Sequence, residues 1–430
     1  MTITETHPLA SVPQASPDTM FGLSAAYRAD KDPKKVDLGV GAYRHEDGKS
    51  WVLPSVRKVR DHNINALRRT QLTSSEARAA LLADENLGHE YLPIEGLAQY
   101  LDVSQKLVFG AEAAVLAEHR VASVQTLSGT GALHLGALFL SRFLPASEAK
   151  KVYVSNPPYV NHTPILRHAA LETGSYPYYH AETRSIDFSS LTQTLSSIPN
   201  GSTILLHVCA HNPTGTDLTP EQWKEVAQIM KSKCQIPFFD SAYQGFASGN
   251  PESDAWPVRY FVDQGFDVSM IAQSYAKNFG LYGERAGCLH VVTSSSELTR
   301  NIFSQLRSLQ RVTVSTPPAF GSRVVSTILA DGELSKVWRQ DLQTMAGRIA
   351  DMRKALRSRL EELGTPGQWD HLTSQIGMFC YSGLTAEQVD TMREVHDIYM
   401  TRDGRMSVAG LNKSNVDYVA AAIKAVVERR

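Results

Sequence analysis

The chain has 430 residues, 42% of them hydrophobic and 20% charged, with 43 basic and 44 acidic side chains and a formal net charge of −1. That length and composition suit a globular protein of two domains, and the even charge balance excludes the broad basic surface of a nucleic-acid or membrane-surface binder. An anionic ligand must then be held by a few local cations. No apolar run approaches the roughly 20 residues that span a bilayer. The first twenty residues hold no basic segment, no apolar segment and no arginine. No secretory or mitochondrial leader is therefore expected, and the cytosol is the expected compartment. Cys209, Cys234, Cys288 and Cys380 form no Cys-x-x-Cys pair and read as reduced, mostly buried thiols.

Residues 1–17 are polar and contain Pro8, Pro13 and Pro17, which reads as a disordered or loosely docked arm. The segment 17–51 is too short to make a core of its own. From about residue 120, β-branched runs predict strands at 121–127, 151–155, 202–210, 236–240, 269–274 and 287–293. Helical stretches such as 131–143 and 220–231 lie between them. That alternation predicts an α/β domain with a largely parallel sheet. After about 320 the pattern changes to a long helical stretch (320–363), a short β-like run (377–381) and two further helices. This tail reads as a smaller α+β domain, completed by the N-terminal segment. The expected division is an arm at 1–17, a small domain formed by 18–51 and 326–430, and a large domain at 52–325.

In an open α/β sheet, ligands sit outside the carboxyl ends of the strands, so the polar residues that follow each strand are the candidates. Ser128, Gly129 and Thr130 follow one strand and open a helix, where backbone N–H groups and hydroxyls favour a phosphate dianion. A plain small-residue helix cap fits them equally. Asn212 follows another strand in Asn-Pro-Thr-Gly, which is turn chemistry but also presents an amide at a strand end. Asp240 and Tyr243 stand three residues apart after a third strand. The carboxylate is either a helix cap or the partner of a protonated heterocycle, as pyridoxal phosphate requires. Lys277 follows a fourth strand among apolar residues. Most lysines are solvated, but desolvation and neighbouring positive charge make a nucleophile of such an amine. Ser274 and Arg285 flank it and suit a phosphate.

Taken together and in this order, His211-Asn212-Pro213-Thr214-Gly215 and the segments 240–249 and 273–287 resemble the aspartate aminotransferase family of fold-type I pyridoxal-phosphate enzymes. The resemblance runs from about Pro17 to the C-terminus. It implies a large cofactor domain, a small domain built from both chain ends, and a homodimer with active sites at the subunit interface. By matching motif, Lys277 resembles the lysine that holds the cofactor as a Schiff base and shuttles protons. Asp240 resembles the partner of the pyridine nitrogen, with His162 behind it. Asn212 and Tyr243 resemble the ligands of the ring oxygen, and Ser128, Gly129, Thr130, Ser274 and Arg285 resemble the phosphate cup. Tyr91 resembles the tyrosine that reaches the neighbouring subunit's phosphate. Arg405 resembles the arginine that grips the substrate α-carboxylate by two parallel bonds, and its neighbour Arg402 reads as solvated surface. Gly41 resembles the small-domain glycine that approaches substrate. Arg311 resembles the arginine that binds a distal carboxylate across the dimer interface.

Three positions depart from the family pattern. Tyr159 stands where a tryptophan stacks on the cofactor ring. Val-Thr-Val-Ser-Thr-Pro-Pro follows Arg311 where the family commonly has Pro-x-Tyr-Ser-x-Pro-Pro, and His134 replaces a common arginine. The activity implied is ping-pong transamination, L-aspartate and 2-oxoglutarate giving oxaloacetate and L-glutamate. The alternatives are an aminotransferase for a specialised amino acid, another pyridoxal-phosphate reaction such as a lyase, decarboxylase or racemase, and a non-catalytic binding role.

Overall fold

The protein was analysed as a computed structural model, which describes residues 19–49, 51–57, 90–145 and 150–429. The arm expected at 1–17 lies outside the described residues.

Seven strands form the central sheet: β1 (Val121–Leu127), β2 (Lys151–Asn156), β3 (Glu172–Pro177), β4 (Thr203–His207), β5 (Ile236–Ser241), β6 (Val268–Ser274) and β7 (Ala286–Thr293). Their spatial order is β1-β7-β6-β5-β4-β2-β3. β7 runs antiparallel to both its neighbours, and every other pairing is parallel. Strands β4 and β7 are buried along their whole length, which is why they carry consecutive apolar residues, Ile204–Leu206 and Val291–Val292, rather than alternating ones. The helix Ser128–Phe143 covers one face with Ala132, Leu135 and Phe139, against Phe238, Met270 and Leu289 of the sheet. It lies so close that a Cβ on Gly136 would come within 2.5 Å of the Phe238 ring. The opposite face packs Trp223, Val226, Phe261 and Phe266 on Phe239 and Ile271. Trp223 and Val226 belong to the helix Pro220–Ser232, started by a Thr219–Gln222 capping box with proline in its first turn.

Three sequence expectations shift. β3 was not predicted, because Glu-Thr-Gly-Ser-Tyr-Pro is an edge strand with Tyr176 its one fully buried side chain, and polar edge strands carry little periodic signal. The strand expected at 202–210 ends at His207, and Ala210 takes a positive φ of 50° in the turn that follows. The helical stretch at 320–363 is two helices, Ala319–Ala330 and Gly332–Glu362. Asp331 breaks them by accepting from the N–H groups of Glu333 and Leu334.

Trp338, Leu342, Met345, Ile349, Met352, Leu356 and Leu360 line one stripe of the longer helix, the spacing of an amphipathic face. They join a cluster that includes Ile398, Met406, Val419 and Ile423. Both ends of the chain meet there. Val36–Asp37 pairs in parallel with Ile398–Tyr399, and Ser407 N–H donates to Leu38 O at 2.7 Å. Phe379–Tyr381 pairs antiparallel with Arg405–Ser407.

Candidate active site

The sheet explains why residues distant in sequence meet. β1, β2, β4, β5 and β6 share one direction, so their carboxyl ends share one edge, and antiparallel β7 starts where they finish. Register places Ala286 opposite Leu127 and Gly287 opposite Ser274, which brings Arg285 beside the end of β1. There Ser128 N–H donates to Arg285 O at 3.1 Å, and the Ser128 and Ser274 hydroxyls share a hydrogen bond of 2.8 Å. Gly287 has to be glycine, since a Cβ would lie 2.5 Å from the Ser128 carbonyl carbon and 2.6 Å from Gln273 O. The helix that begins at Ser128 has no side-chain cap, so its first N–H groups are available to an anion. The Arg285 guanidinium donates to Tyr282 O at 3.0 Å and has no carboxylate partner among the described residues.

Asp240 is not a helix cap. It lies inside β5, opposite His207 of β4, and one oxygen, Oδ2, hydrogen-bonds His162 Nε2 at 2.9 Å with both side chains buried. Burial pushes this carboxyl up, but the His162 hydrogen bond and the charges of His162 and Lys277 outweigh it and hold the pKa below the usual range. Its other oxygen has no protein partner among the described residues. Behind this pair stand two imidazoles, His207 and His211, to which the sequence assigned no role. The His207 ring lies 5.0 Å from His162 and 4.4 Å from His211. His211 bonds Ser155 and Thr214, each at 2.8 Å. Burial, reinforced by His162, drops the His207 pKa to about 3, so that ring stays neutral.

Lys277 lies 4.9 Å from the Tyr243 ring centroid, and its amine makes no hydrogen bond or ion pair among the described residues. Desolvation lowers its pKa, Arg285 lowers it further, and Asp240 partly opposes both. Tyr243 is buried, and burial raises its phenol well above the ordinary value, with Tyr159 and Asp240 adding to the rise. Tyr159 meets His162 edge-on at 5.2 Å and accepts from Asn161 at 3.3 Å.

Arg405 is buried. It donates to Asn212 Oδ1 at 3.3 Å and to Gly39 O at 3.0 Å, and its guanidinium lies 4.3 Å from the Phe379 ring centroid. Arg402, as expected of a surface residue, is exposed and pairs with Asp390. Gly41 abuts the Phe379 ring, where a Cβ would come within 2.5 Å. Asn212 and Arg405 also line a cavity of about 530 Å³ whose walls include Leu23, Pro158, Val160 and Met400.

Two candidates stand apart from this cluster. Tyr91 is 84% exposed. Arg311 is exposed at the end of the helix Ser296–Thr313, where it bonds Ser315. Sequence reading also missed Gly39 and Phe379. One acts through its carbonyl and the other as a ring under a guanidinium, and neither role has a motif.

The profile described as "Aminotransferase class I and II" matches residues 33–423. The chain belongs to that family. It is 44% identical to the cytoplasmic aspartate aminotransferase of Gallus gallus over 423 residues, 98% of either chain. Among solved structures, the cytoplasmic aspartate aminotransferase of Saccharomyces cerevisiae superposes with a TM-score of 0.90 at 43% identity, covering 98% of each chain. The aromatic-amino-acid aminotransferase of Burkholderia pseudomallei, described as covalently bound to pyridoxal phosphate, also reaches 0.90. It is 39% identical and covers 98% of this chain and 100% of its own. Aminotransferases of this family exchange an amino group between an amino acid and an oxo acid.

Proposed function

We propose that this chain is a pyridoxal-phosphate enzyme that transfers the amino group of L-aspartate to 2-oxoglutarate, forming oxaloacetate and L-glutamate. The observation that carries the reading is the donor set on one sheet edge. It comprises an ionised buried carboxylate with a free oxygen, a depressed lysine amine beside it, and hydroxyls, helix N–H groups and a guanidinium without a carboxylate partner. That set fits the cofactor group by group. Asp240 suits the protonated ring nitrogen, with His162 orienting it. Asn212 and Tyr243 suit the ring oxygen, Tyr159 a ring face, and Lys277 the aldehyde carbon. Ser128, Gly129, Thr130, Ser274 and Arg285 suit the phosphate, and Tyr91 suits the phosphate of a neighbouring subunit.

When bound, the cofactor supplies an electron-poor ring that accepts the electron pair of the bond broken at the substrate Cα. The chain does the rest. Arg405 would grip the α-carboxylate and so orient the bonds at Cα, Asn212 and Gly39 having already oriented its guanidinium. Lys277 Nζ would hold the cofactor's aldehyde carbon and, when free, would take the α-proton and later return one. Desolvation lowers its pKa, which favours the neutral amine that a base requires. Asp240 keeps its negative charge through the cycle because His162 holds it low.

The same reading includes a homodimer. Tyr91, Arg311, Val312 and Phe320 are exposed, and a second copy would cover them while Arg311 met the distal carboxylate of its partner's substrate. It also includes the division into an arm (1–17), a large domain (52–325) and a small domain (18–51 with 326–430), supported by the pairing of Val36–Asp37 with Ile398–Tyr399. The cytosol is the proposed compartment, in keeping with the name of the Gallus gallus relative.

The apolar walls of the 530 Å³ cavity favour one second reading, an aromatic amino donor. Aspartate alone should convert the bound cofactor to its amine form and release one oxaloacetate per site. Return of the original absorbance without an oxo acid would indicate a lyase or decarboxylase instead. Faster conversion by phenylalanine than by aspartate would select the aromatic reading.

A further inference from the structure

Arg353, on the helix Gly332–Glu362, is 3% exposed, yet every acceptor it has is neutral. Nη1 donates to Leu372 O at 3.0 Å. Nη2 donates to Ile376 O at 3.3 Å, to Gly377 O at 2.9 Å and, at closer range, to Phe379 O. No carboxylate among the described residues pairs with it. The neighbouring Cys380 thiol does not serve, because burial outweighs the pull of Arg353 and pushes that thiol up to about 11. A buried guanidinium without a counter-charge is costly, and such groups are normally paired.

Two donors beside it are also unmet. Arg353 Nε and Gln375 Nε2 are both buried with no acceptor among the described residues. The Gln375 amide, 1% exposed, cannot simply be turned, because its Oε1 accepts from Tyr381 N–H at 3.2 Å. Both residues line a cavity of about 110 Å³, with Phe246, Ala346, Lys354 and Thr373 among its walls and no acidic residue. We propose that this cavity binds a small monovalent anion, coordinated by the Arg353 guanidinium and the Gln375 amide. A halide and a small carboxylate such as formate share the required chemistry of one negative charge and acceptor capacity toward two N–H groups. A water molecule would satisfy the donors but leave the charge uncompensated.

The site bears on the substrate side of the protein. Arg353 grips the carbonyls of residues 372–379, and Gly377 is pressed so close to Ala210 that a Cβ would lie 2.4 Å away. Phe379, at the end of that segment, is the ring beneath Arg405. An anion in the cavity braces the segment that seats the α-carboxylate arginine.

The test needs no activity assay, so its outcome is separable from the reaction proposed above. Holoenzyme crystals are soaked in sodium bromide or in sodium formate. A bromide anomalous peak within hydrogen-bond reach of Arg353 and Gln375 is expected. Formate density there without bromide retains the site and assigns it to carboxylates. Water alone in both soaks, or anions confined to Arg405 and the Ser128–Arg285 region, overturns the proposal. In solution, the binding anion should raise the unfolding midpoint saturably, by about 1–2 °C at tenfold excess over Kd. Ala346→Leu, which fills the cavity, should abolish that increment. Gln375→Glu should abolish it too, by supplying the negative charge covalently while keeping the bond to Tyr381. An unchanged salt response in both variants overturns the proposal.

Discussion

The proposed cofactor side and the proposed distal-carboxylate side of this protein are built differently. Asp240, His162, Lys277, Tyr243, Ser128 and Ser274 come from the ends of four strands of one buried sheet, and a single chain brings them together. Arg311 and Tyr91 stand exposed, making no contact with that cluster. The sheet fixes positions because one strand direction delivers five carboxyl ends to one edge, and reversed β7 adds Arg285 to it. Nothing comparable fixes Arg311 within one chain. The chemistry of bond breaking is therefore a property of the fold, whereas the choice of side chain is a property of the proposed assembly. Substitutions on the two sides should fail in different ways.

The largest effect belongs to the cofactor side. Lys277→Ala should lower turnover on the order of 10⁴-fold or more, since both the covalent hold and the base are lost. The unfolding midpoint of the cofactor-free protein should change little, because the amine makes no hydrogen bond or ion pair among the described residues. A borohydride-reducible cofactor linkage surviving in the variant would place the reactive lysine elsewhere.

Next comes Arg311. Loss of one partner of a buried charge pair costs about 3–5 kcal/mol, so Arg311→Asp should lower kcat/KM for aspartate by some hundreds- to thousands-fold and weakly favour basic amino acids. Phenylalanine turnover should fall far less. Equal losses for both donors would mean that Arg311 does not read the side chain. The comparison sharpens further in mixed dimers. Lys277→Ala and Arg311→Ala chains, each inactive toward aspartate alone, should regain activity on subunit exchange, as one hybrid site then carries both native residues. Exchanged heterodimers that stay inactive would confine each site to one chain.

These two sides also differ in how legible they were from sequence. Six of the seven sheet strands announced themselves as β-branched runs, and the polar residues after four of them pointed at the proposed site. Only the edge strand Glu172–Pro177 was silent, because one buried tyrosine gives no period. Motifs placed Lys277, Asp240 and Arg405, but not what holds them. His207 works through ring proximity, Gly39 through a carbonyl and Phe379 through a face, and such roles depend on the chain's path rather than on residue type. The break at Asp331 was hidden as well, since one capping carboxylate interrupts two stretches of the same helical composition.

A smaller effect is expected at Tyr159. Its ring meets His162 edge-on and offers less area than an indole. Tyr159→Ala should weaken cofactor retention by about 3- to 10-fold, the worth of one aromatic contact, while Tyr159→Trp should retain or improve it. Equal retention by alanine and tyrosine variants in equilibrium dialysis would remove Tyr159 from the cofactor face.

The smallest effect concerns acid, and it separates the two sides by stability rather than activity. Within the central sheet, buried Ser123, His290 and Gln273 form a hydrogen-bonded row that half-buried Gln105 joins, with His290 bonded at 2.7 Å to Ser123 and 2.9 Å to Gln273. Burial drops the His290 pKa to about 3, whereas the unfolded chain takes up that proton near pH 6.5. Between those values the unfolded state binds more protons, so stability is full above about 6.5 and falls as pH drops toward 3. His207 acts in the same direction over the same window. Each such imidazole contributes a slope of about 1.4 kcal/mol per pH unit. His290→Gln should keep a polar partner in the row yet remove one proton's worth of that slope, measured by denaturant unfolding at a series of pH values. Its stability at neutral pH should drop modestly, and its deficit should shrink as the medium is acidified. A variant whose deficit stays constant from pH 7 to pH 4 would show that His290 takes up its proton in the folded protein as readily as in the unfolded one.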